Sequence, residues 1–119
     1  MKQRRQKSNI NIRQLFDQET WTFTYLIFSN ESKKSVLIDP VLEKISRDLT
    51  LVKRLGLSLV GVLETHVHAD HITAADEIRT RTSTKIYYGS KTGVKGSDIL
   101  LNDGDQIQLG DHSITAIHT

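Results

Sequence analysis

The stretch Leu63-Glu64-Thr65-His66-Val67-His68-Ala69-Asp70-His71 gathers three of the chain's five histidines and two carboxylates. Residues two apart in an extended segment point the same way, so the imidazoles of His66 and His68 can reach one ion. The chain then turns. Asp70 and His71 fall at that turn and on the first helical residues, from where they can face back toward the same place. Asp70 also suits the N-cap of the following helix, a role compatible with ligation. All four are ligand types that a borderline divalent metal accepts, and they follow an apolar strand, at whose C-terminal end α/β folds set their sites. A lone histidine is ordinarily a packed or surface residue. This cluster is interleaved with Val67 and Ala69 and anchored to a buried run, unlike a polar histidine tract. Glu64 is a candidate to orient the far nitrogen of a ligand imidazole, or else a plain strand-end charge. No nucleophile or general base is assigned.

Working outward, Leu57 to Leu63 is a nearly continuous apolar run between Gly56 and Glu64, which predicts a strand buried on both faces. Before it, Leu42, Ile45, Leu49, Val52 and Leu55 recur at helical spacing. Glu43, Lys44, Arg47, Asp48, Lys53 and Arg54 lie off that stripe, and Gly56 is placed as a cap. Further upstream, Ile12 to Phe16, then Trp21 to Ile27 with its alternation, then Val36 to Ile38 ended by Asp39-Pro40, predict antiparallel strands. A second helix is expected from near Asp70 through Ile72, Ala75 and Ile78. Lys85 to Tyr88 predicts a further strand and Gly89 to Gly96 a loop. Ile107 to Leu109 and Ser113 to Ile117, joined by Gly110-Asp111, predict a hairpin. The class is α/β, and two helices cannot cover both faces of a sheet of about six or seven strands.

Composition narrows the chemistry. At 119 residues, 37% hydrophobic and 25% charged, the chain is of single-domain size and ordinary globular composition. It contains no cysteine, so thiolate nucleophiles, cysteine zinc sites and disulfides are excluded and any metal must sit on imidazole and carboxylate. No apolar run approaches the roughly 20 residues that cross a bilayer, so no membrane partner is expected. The basic start leads into Asn9-Ile10-Asn11 instead of a signal-like apolar stretch, and the expected compartment is the cytoplasm. Lys2, Arg4, Arg5 and Lys7 carry the net charge of +2, leaving 12 basic residues against 14 acidic ones in the rest. Residues 1–11 therefore read as a basic disordered tail and 12–119 as the folded part, with no nucleic-acid partner.

Other motifs are weaker. Gly89-Ser90-Lys91-Thr92 resembles a phosphate loop only superficially, since Gly and Lys are not adjacent and Thr84 stands where the first glycine belongs. Lys91, Gly93, Lys95 and Gly96 read as a solvated loop, Tyr87 and Tyr88 as core and rim, and His112 as an exposed turn residue. Asn30-Glu31-Ser32 is a glycosylation sequon that a cytoplasmic chain would not use.

The segment from Leu63 to Ala74 resembles the His-x-His-x-Asp-His metal motif of the metallo-β-lactamase superfamily. Its flanks, Glu64-Thr65 before the first histidine and Ala69-Asp70-His71-Ile72-Thr73 after it, are most similar to the glutathione-dependent persulfide dioxygenase branch. Gln14-Leu15-Phe16-Asp17, Thr24-Tyr25-Leu26, Leu37-Ile38-Asp39-Pro40-Val41, Asp103-Gly104-Asp105 and Ile117-His118-Thr119 match in order. The glyoxalase II branch has a third histidine between the first two and Gly-Gly after the last, where this chain has Val67 and Thr73-Ala74.

The resemblance implies an αββα sandwich holding Fe(II) on two histidines and an aspartate, with O₂ and glutathione persulfide converted to sulfite and glutathione. His66 matches the first iron ligand. His68, Asp70 and His71 match residues that ligate zinc in the hydrolase branches and here would hold water or support the ligand. The family's next ligand opens a His-Thr-Pro-Gly-His-Thr turn, and this sequence stops at His118-Thr119. The expectation is the N-terminal half of the sandwich, its first sheet with two helices, from a truncated gene or a split pair and inactive unless complemented. A zinc thioester hydrolase of the glyoxalase II kind is the alternative enzyme. A non-catalytic half-domain that pairs with itself or with a complementing chain is the alternative outside catalysis.

Overall fold

A computed structural model describes residues 10–19, 21–65, 69–82, 84–89, 99–101 and 104–115, of which 69–73, 89 and 99–101 are described as backbone. Strands β1 (Ile10–Asp17) and β2 (Thr22–Ser29) form an antiparallel hairpin, and β3 (Lys34–Ile38) adds antiparallel to β2. The first strand begins inside the stretch expected to be a disordered tail. Ile10 and Asn11 pair with Ser29 and Phe28, and Ile10 contributes to a buried cluster. The folded boundary therefore lies before residue 12.

A short 3₁₀ turn (Leu42–Lys44) leads into α1 (Ile45–Arg54), and β4 (Ser58–Glu64) returns parallel to β3. The helix ends as its sequence predicts. Gly56 adopts φ +68°, its amide donates to the Lys53 carbonyl at 3.0 Å, and the Leu57 amide donates to the Val52 carbonyl at 3.0 Å. These two bonds satisfy the last carbonyls of α1 and aim the chain into β4. Helix α2 (Ala69–Thr82) and strand β5 (Lys85–Gly89) complete a second crossover, and β6 (Ile99–Leu101) adds parallel to β5. Sequence reading missed β6, which is only three residues long. Sheet order is β1-β2-β3-β4-β5-β6.

One face of this sheet is covered by the helices. Leu26, Phe28, Leu37, Val62, Ile86 and Tyr88 pack there against Ile45, Val52, Ala74, Ala75 and Ile78. The other face meets the hairpin of β7 (Gln106–Leu109) and β8 (His112–Thr115), whose Ile107, Leu109 and Ile114 cluster with Val36, Ile27, Val60, Leu63 and Tyr87. The hairpin expected around Gly110-Asp111 is thus present through Thr115, while Ile117 lies outside the described residues. It covers the middle of a face that sequence reading left bare. The β1–β2 end stays open, with Ile12 63%, Phe16 37%, Trp21 78% and Phe23 45% exposed.

Two side chains depart from the sequence pattern. Asp48, grouped with the charged side of α1, is fully buried, because Arg47 beside it donates from Nε to its Oδ1 at 2.9 Å and reaches on to the Phe16 carbonyl at 2.7 Å. His112 opens β8 instead of sitting in the turn and is only partly exposed, with Nε2 3.9 Å from Glu31 Oε1.

Candidate metal-binding segment

The segment singled out by sequence lies between two fixed supports. On its N-terminal side, β4 ends at Glu64, whose side chain is fully buried. Val62 belongs to the helix-side core, and Glu64, two residues on, shares its face. Glu64 pairs in register with Tyr88 of β5. Burial, with a smaller contribution from the Asp39 charge, pushes the Glu64 carboxyl up to about 9. Burial thus favours the neutral form of this carboxyl, the form that can donate a hydrogen bond.

Asp39 makes the second contribution at this end. It follows β3 with φ +54°, a left-handed conformation that costs a non-glycine residue energy and that Asp tolerates better than most. Its amide donates to the Leu63 carbonyl at 2.9 Å, and its carbonyl accepts from the Thr24 hydroxyl at 2.9 Å. Its carboxylate accepts from the Thr65 amide at 2.7 Å and from the Thr65 hydroxyl. One residue thus ties the ends of β2, β3 and β4 together immediately before His66. The residues themselves marked Asp39-Pro40 as the stop of a strand, and the family resemblance matched the pair without giving it a role. An Asp-Pro pair after a strand is a turn signal, but its partner across the sheet is invisible locally.

On the C-terminal side, α2 begins at Ala69, so Asp70 and His71 occupy its first turn; Asp70 thus lies inside the helix and not at the N-cap, the position before Ala69, that its residue type suggested. The helix is seated by Ala74, Ala75 and Ile78, all fully buried. Its outer face carries the ion pairs Asp76–Arg79 at 2.7 Å and Glu77–Arg81 at 2.9 Å. A helix N-terminus also presents unpaired amides and a partial positive charge to whatever lies before it. His66 and His68 lie outside the described residues, as does His118, and Asp70 and His71 are described as backbone. The structure therefore brings Glu64 and Thr65 to one end of the segment and Asp70 and His71 to the other, with only residues 66–68 between Thr65 and the helix. Lys91, Gly93, Lys95 and Gly96 also lie outside the described residues.

Comparison with known proteins places this arrangement. Persulfide dioxygenase ETHE1, mitochondrial, from Homo sapiens is 43% identical over 101 residues, covering 85% of this chain and 40% of the relative. The crystal structure of ETHE1 from Myxococcus xanthus superposes with a TM-score of 0.78 at 45% identity, covering 87% of this chain and 45% of that one. A metallo-beta-lactamase from Staphylococcus aureus shares the fold, with a TM-score of 0.81 at 21% identity over 94% of this chain and 34% of that one. The chain spans about two fifths of the length of the relatives it matches. No described helix is long and apolar enough to cross a membrane. Residues 22–118 match the family model of the metallo-beta-lactamase superfamily, which shows the chain to be a member of that superfamily.

Proposed function

We propose that the chain carries the opening part of the metal centre of a persulfide dioxygenase, with His66, His68, Asp70 and His71 around the ion and Glu64 behind them. The observation that carries this reading is the 43% identity, across 85% of the chain, to a protein named for that activity. The donors fit a divalent metal on their own chemistry. Three imidazoles and a carboxylate fall in one segment held at both ends, and the chain has no thiol. By resemblance, His66 is the iron ligand, while His68, Asp70 and His71 hold water or support it. Ferrous iron, when bound, would supply the redox chemistry by which O₂ and one water convert the outer sulfur of glutathione persulfide to sulfite, O₂ being the oxidant, and free glutathione as its thiol.

The chain's own residues act by position. Asp39 fixes Thr65, and with it the start of the donor segment. The α2 N-terminus favours negative charge on the groups in front of it. Glu64, buried at the end of β4, can hydrogen-bond a neighbouring group of the donor segment and so hold its orientation. The remaining ligands must come from polypeptide equivalent to the rest of the relatives' length. The substrate is a small thiol-derived persulfide, and nucleic acid is not a partner. A cytoplasmic location belongs to this proposal, whereas the mammalian relatives are named as mitochondrial.

The test combines metal analysis with oxygen uptake on glutathione persulfide, for the chain alone and for the chain supplied with the missing polypeptide. One iron per complex and uptake only after complementation are expected. Two zincs with thioester hydrolysis would replace this reading with the glyoxalase II-like one. Turnover by the lone chain would overturn the need for further ligands.

A further inference from the structure

Helix α1 packs on the sheet, and between the helix and strand β1 lies an open cleft of about 440 Å³. Leu15 forms its strand side. It pairs with Thr24 and so faces the same way as Leu26 and Phe28, toward the helices and away from the exposed Ile12 and Phe16. Two adjoining rows of α1 form the helix side. Ser46, Thr50 and Arg54 recur every four residues, and Arg47 and Leu51 run beside them, nearer the sheet. Leu15 and Leu51 give an apolar floor, Ser46 and Thr50 two hydroxyls, and no carboxylate is among the described residues that line it. The two arginines differ. Arg47 closes one end, committed to Asp48 through Nε and to the Phe16 carbonyl through Nη1. Arg54, about 10 Å further along the helix, is exposed and has no ion pair among the described residues.

From this lining we infer that the cleft binds a medium-chain carboxylate, its apolar body over Leu15 and Leu51 and its head group on Arg54. The volume lies in the range of small-ligand sites, which combine an apolar lining with a few polar groups that fix orientation. The guanidinium fork of Arg54 matches a planar carboxylate with two parallel hydrogen bonds, so one singly charged head group neutralises it. An uncharged ligand of the same shape gains only the burial, and a cationic one is repelled. The cleft opens on the helix side of the sheet, whereas the β7–β8 hairpin, the last described element, packs on the other. Polypeptide joined to that hairpin meets the opposite face first.

The inference stands apart from the metal chemistry, since none of the proposed donors lines the cleft. Calorimetric titration of the chain with decanoate should show one saturable site. Decanol, with the same tail and no charge, should bind about ten-fold more weakly, and Arg54→Gln should remove that preference. Lys53→Gln takes away a neighbouring charge of α1 that does not line the cleft, and should leave decanoate binding unchanged. Thr50→Trp should fill the cleft and abolish binding of both probes. All three substituted positions are exposed, so the fold is kept. No saturable binding, equal binding of decanoate and decanol, or equal losses in Lys53→Gln and Arg54→Gln would overturn the inference. Loss of decanoate binding once the missing polypeptide is supplied would overturn it too, because that polypeptide would then fill the cleft.

Discussion

The Asp39 carboxylate takes both hydrogen bonds that Thr65 can give, one from its amide at 2.7 Å and one from its hydroxyl. Asp39 lies 26 residues before Thr65 and holds a left-handed backbone to make this reach. Since Thr65 directly precedes His66, the clamp sets where β4 stops and the donor segment starts. Stability at the strand end and geometry of the site therefore depend on the same two residues.

Asp39→Ala removes both acceptors and puts Ala in a conformation that Asp tolerates better. Bonds to a carboxylate contribute about 1.5–3 kcal/mol each at the upper end, and adjacent ones do not add fully, so a loss of about 2–3 kcal/mol is expected. Thr65→Val keeps the amide bond and should cost about 1 kcal/mol. Urea denaturation measures both, and exchange of the Thr65 amide should accelerate in Asp39→Ala. An unchanged exchange rate would show that the clamp is not what orders the end of β4.

How far this was legible in the sequence follows from the range of each interaction. The α1 stripe and the Gly56 stop are local, and they appear where Ile45, Val52 and Gly56 place them. The strand before the histidine segment and the helix after it were equally legible, because Leu63 to His71 carries both the end of an apolar run and the start of a helical one. The Asp39 clamp was not, since nothing near Asp39 indicates a partner in another strand. Asp48 misled for a related reason: helical periodicity assigns a face, but β1 and Arg47 extend the buried zone beyond the apolar stripe.

A close approach across the sheet gives the second prediction. The pairing of β3 with β4 shifts between Ser35 and Val36, passing from Leu59 to Gly61, so Val60 is bulged. After the bulge, a Cβ on Gly61 would lie 2.7 Å from Tyr87 Cε1 and 3.4 Å from Val36 Cγ1. Gly61→Ala forces the Tyr87 ring to shift and should cost about 1–3 kcal/mol. Truncating the ring relieves the clash, so in a double-mutant cycle Gly61→Ala should cost less on a Tyr87→Ala background. Equal costs on both backgrounds would place the strain elsewhere.

The β7–β8 turn touches the β2–β3 turn closely enough to be tested by one methyl group. Gly110 has φ +68°, and a Cβ there would stand 2.4 Å from Ser32 Cβ. Gly56 has the same φ of +68° with nothing within 4 Å, so it serves as the control for backbone strain alone. Gly56→Ala should cost about 1 kcal/mol, and Gly110→Ala clearly more, because hairpin and turn must separate as well. Thermal unfolding of the two variants side by side makes the comparison. Equal losses would mean that the hairpin does not rest on Ser32.

Asp48 gives a pH dependence whose sign can be worked out. Burial raises its carboxyl above the ordinary value of 3.8, opposed by the hydrogen bond and charge of Arg47 and by the charge of Lys44. In the unfolded chain the group ionises near its ordinary value, whereas in the native protein it holds its proton to higher pH. Stability from this group is therefore fully present below the unfolded value. It falls as pH rises toward the native value and stays reduced above it. Asp48→Asn keeps the shape and cannot ionise, so it should be more stable than the parent at pH 7 by about 1 kcal/mol, the scale of a relieved desolvation penalty. Arg47 is not stranded by the change, since it is one-third exposed and keeps its bond to the Phe16 carbonyl. Urea midpoints of both proteins between pH 3 and 8 should converge on the acid side and separate toward neutrality. The opposite trend, with the parent gaining on Asp48→Asn as pH rises, would show that the Arg47 ion pair, and not burial, sets the energy of this carboxylate.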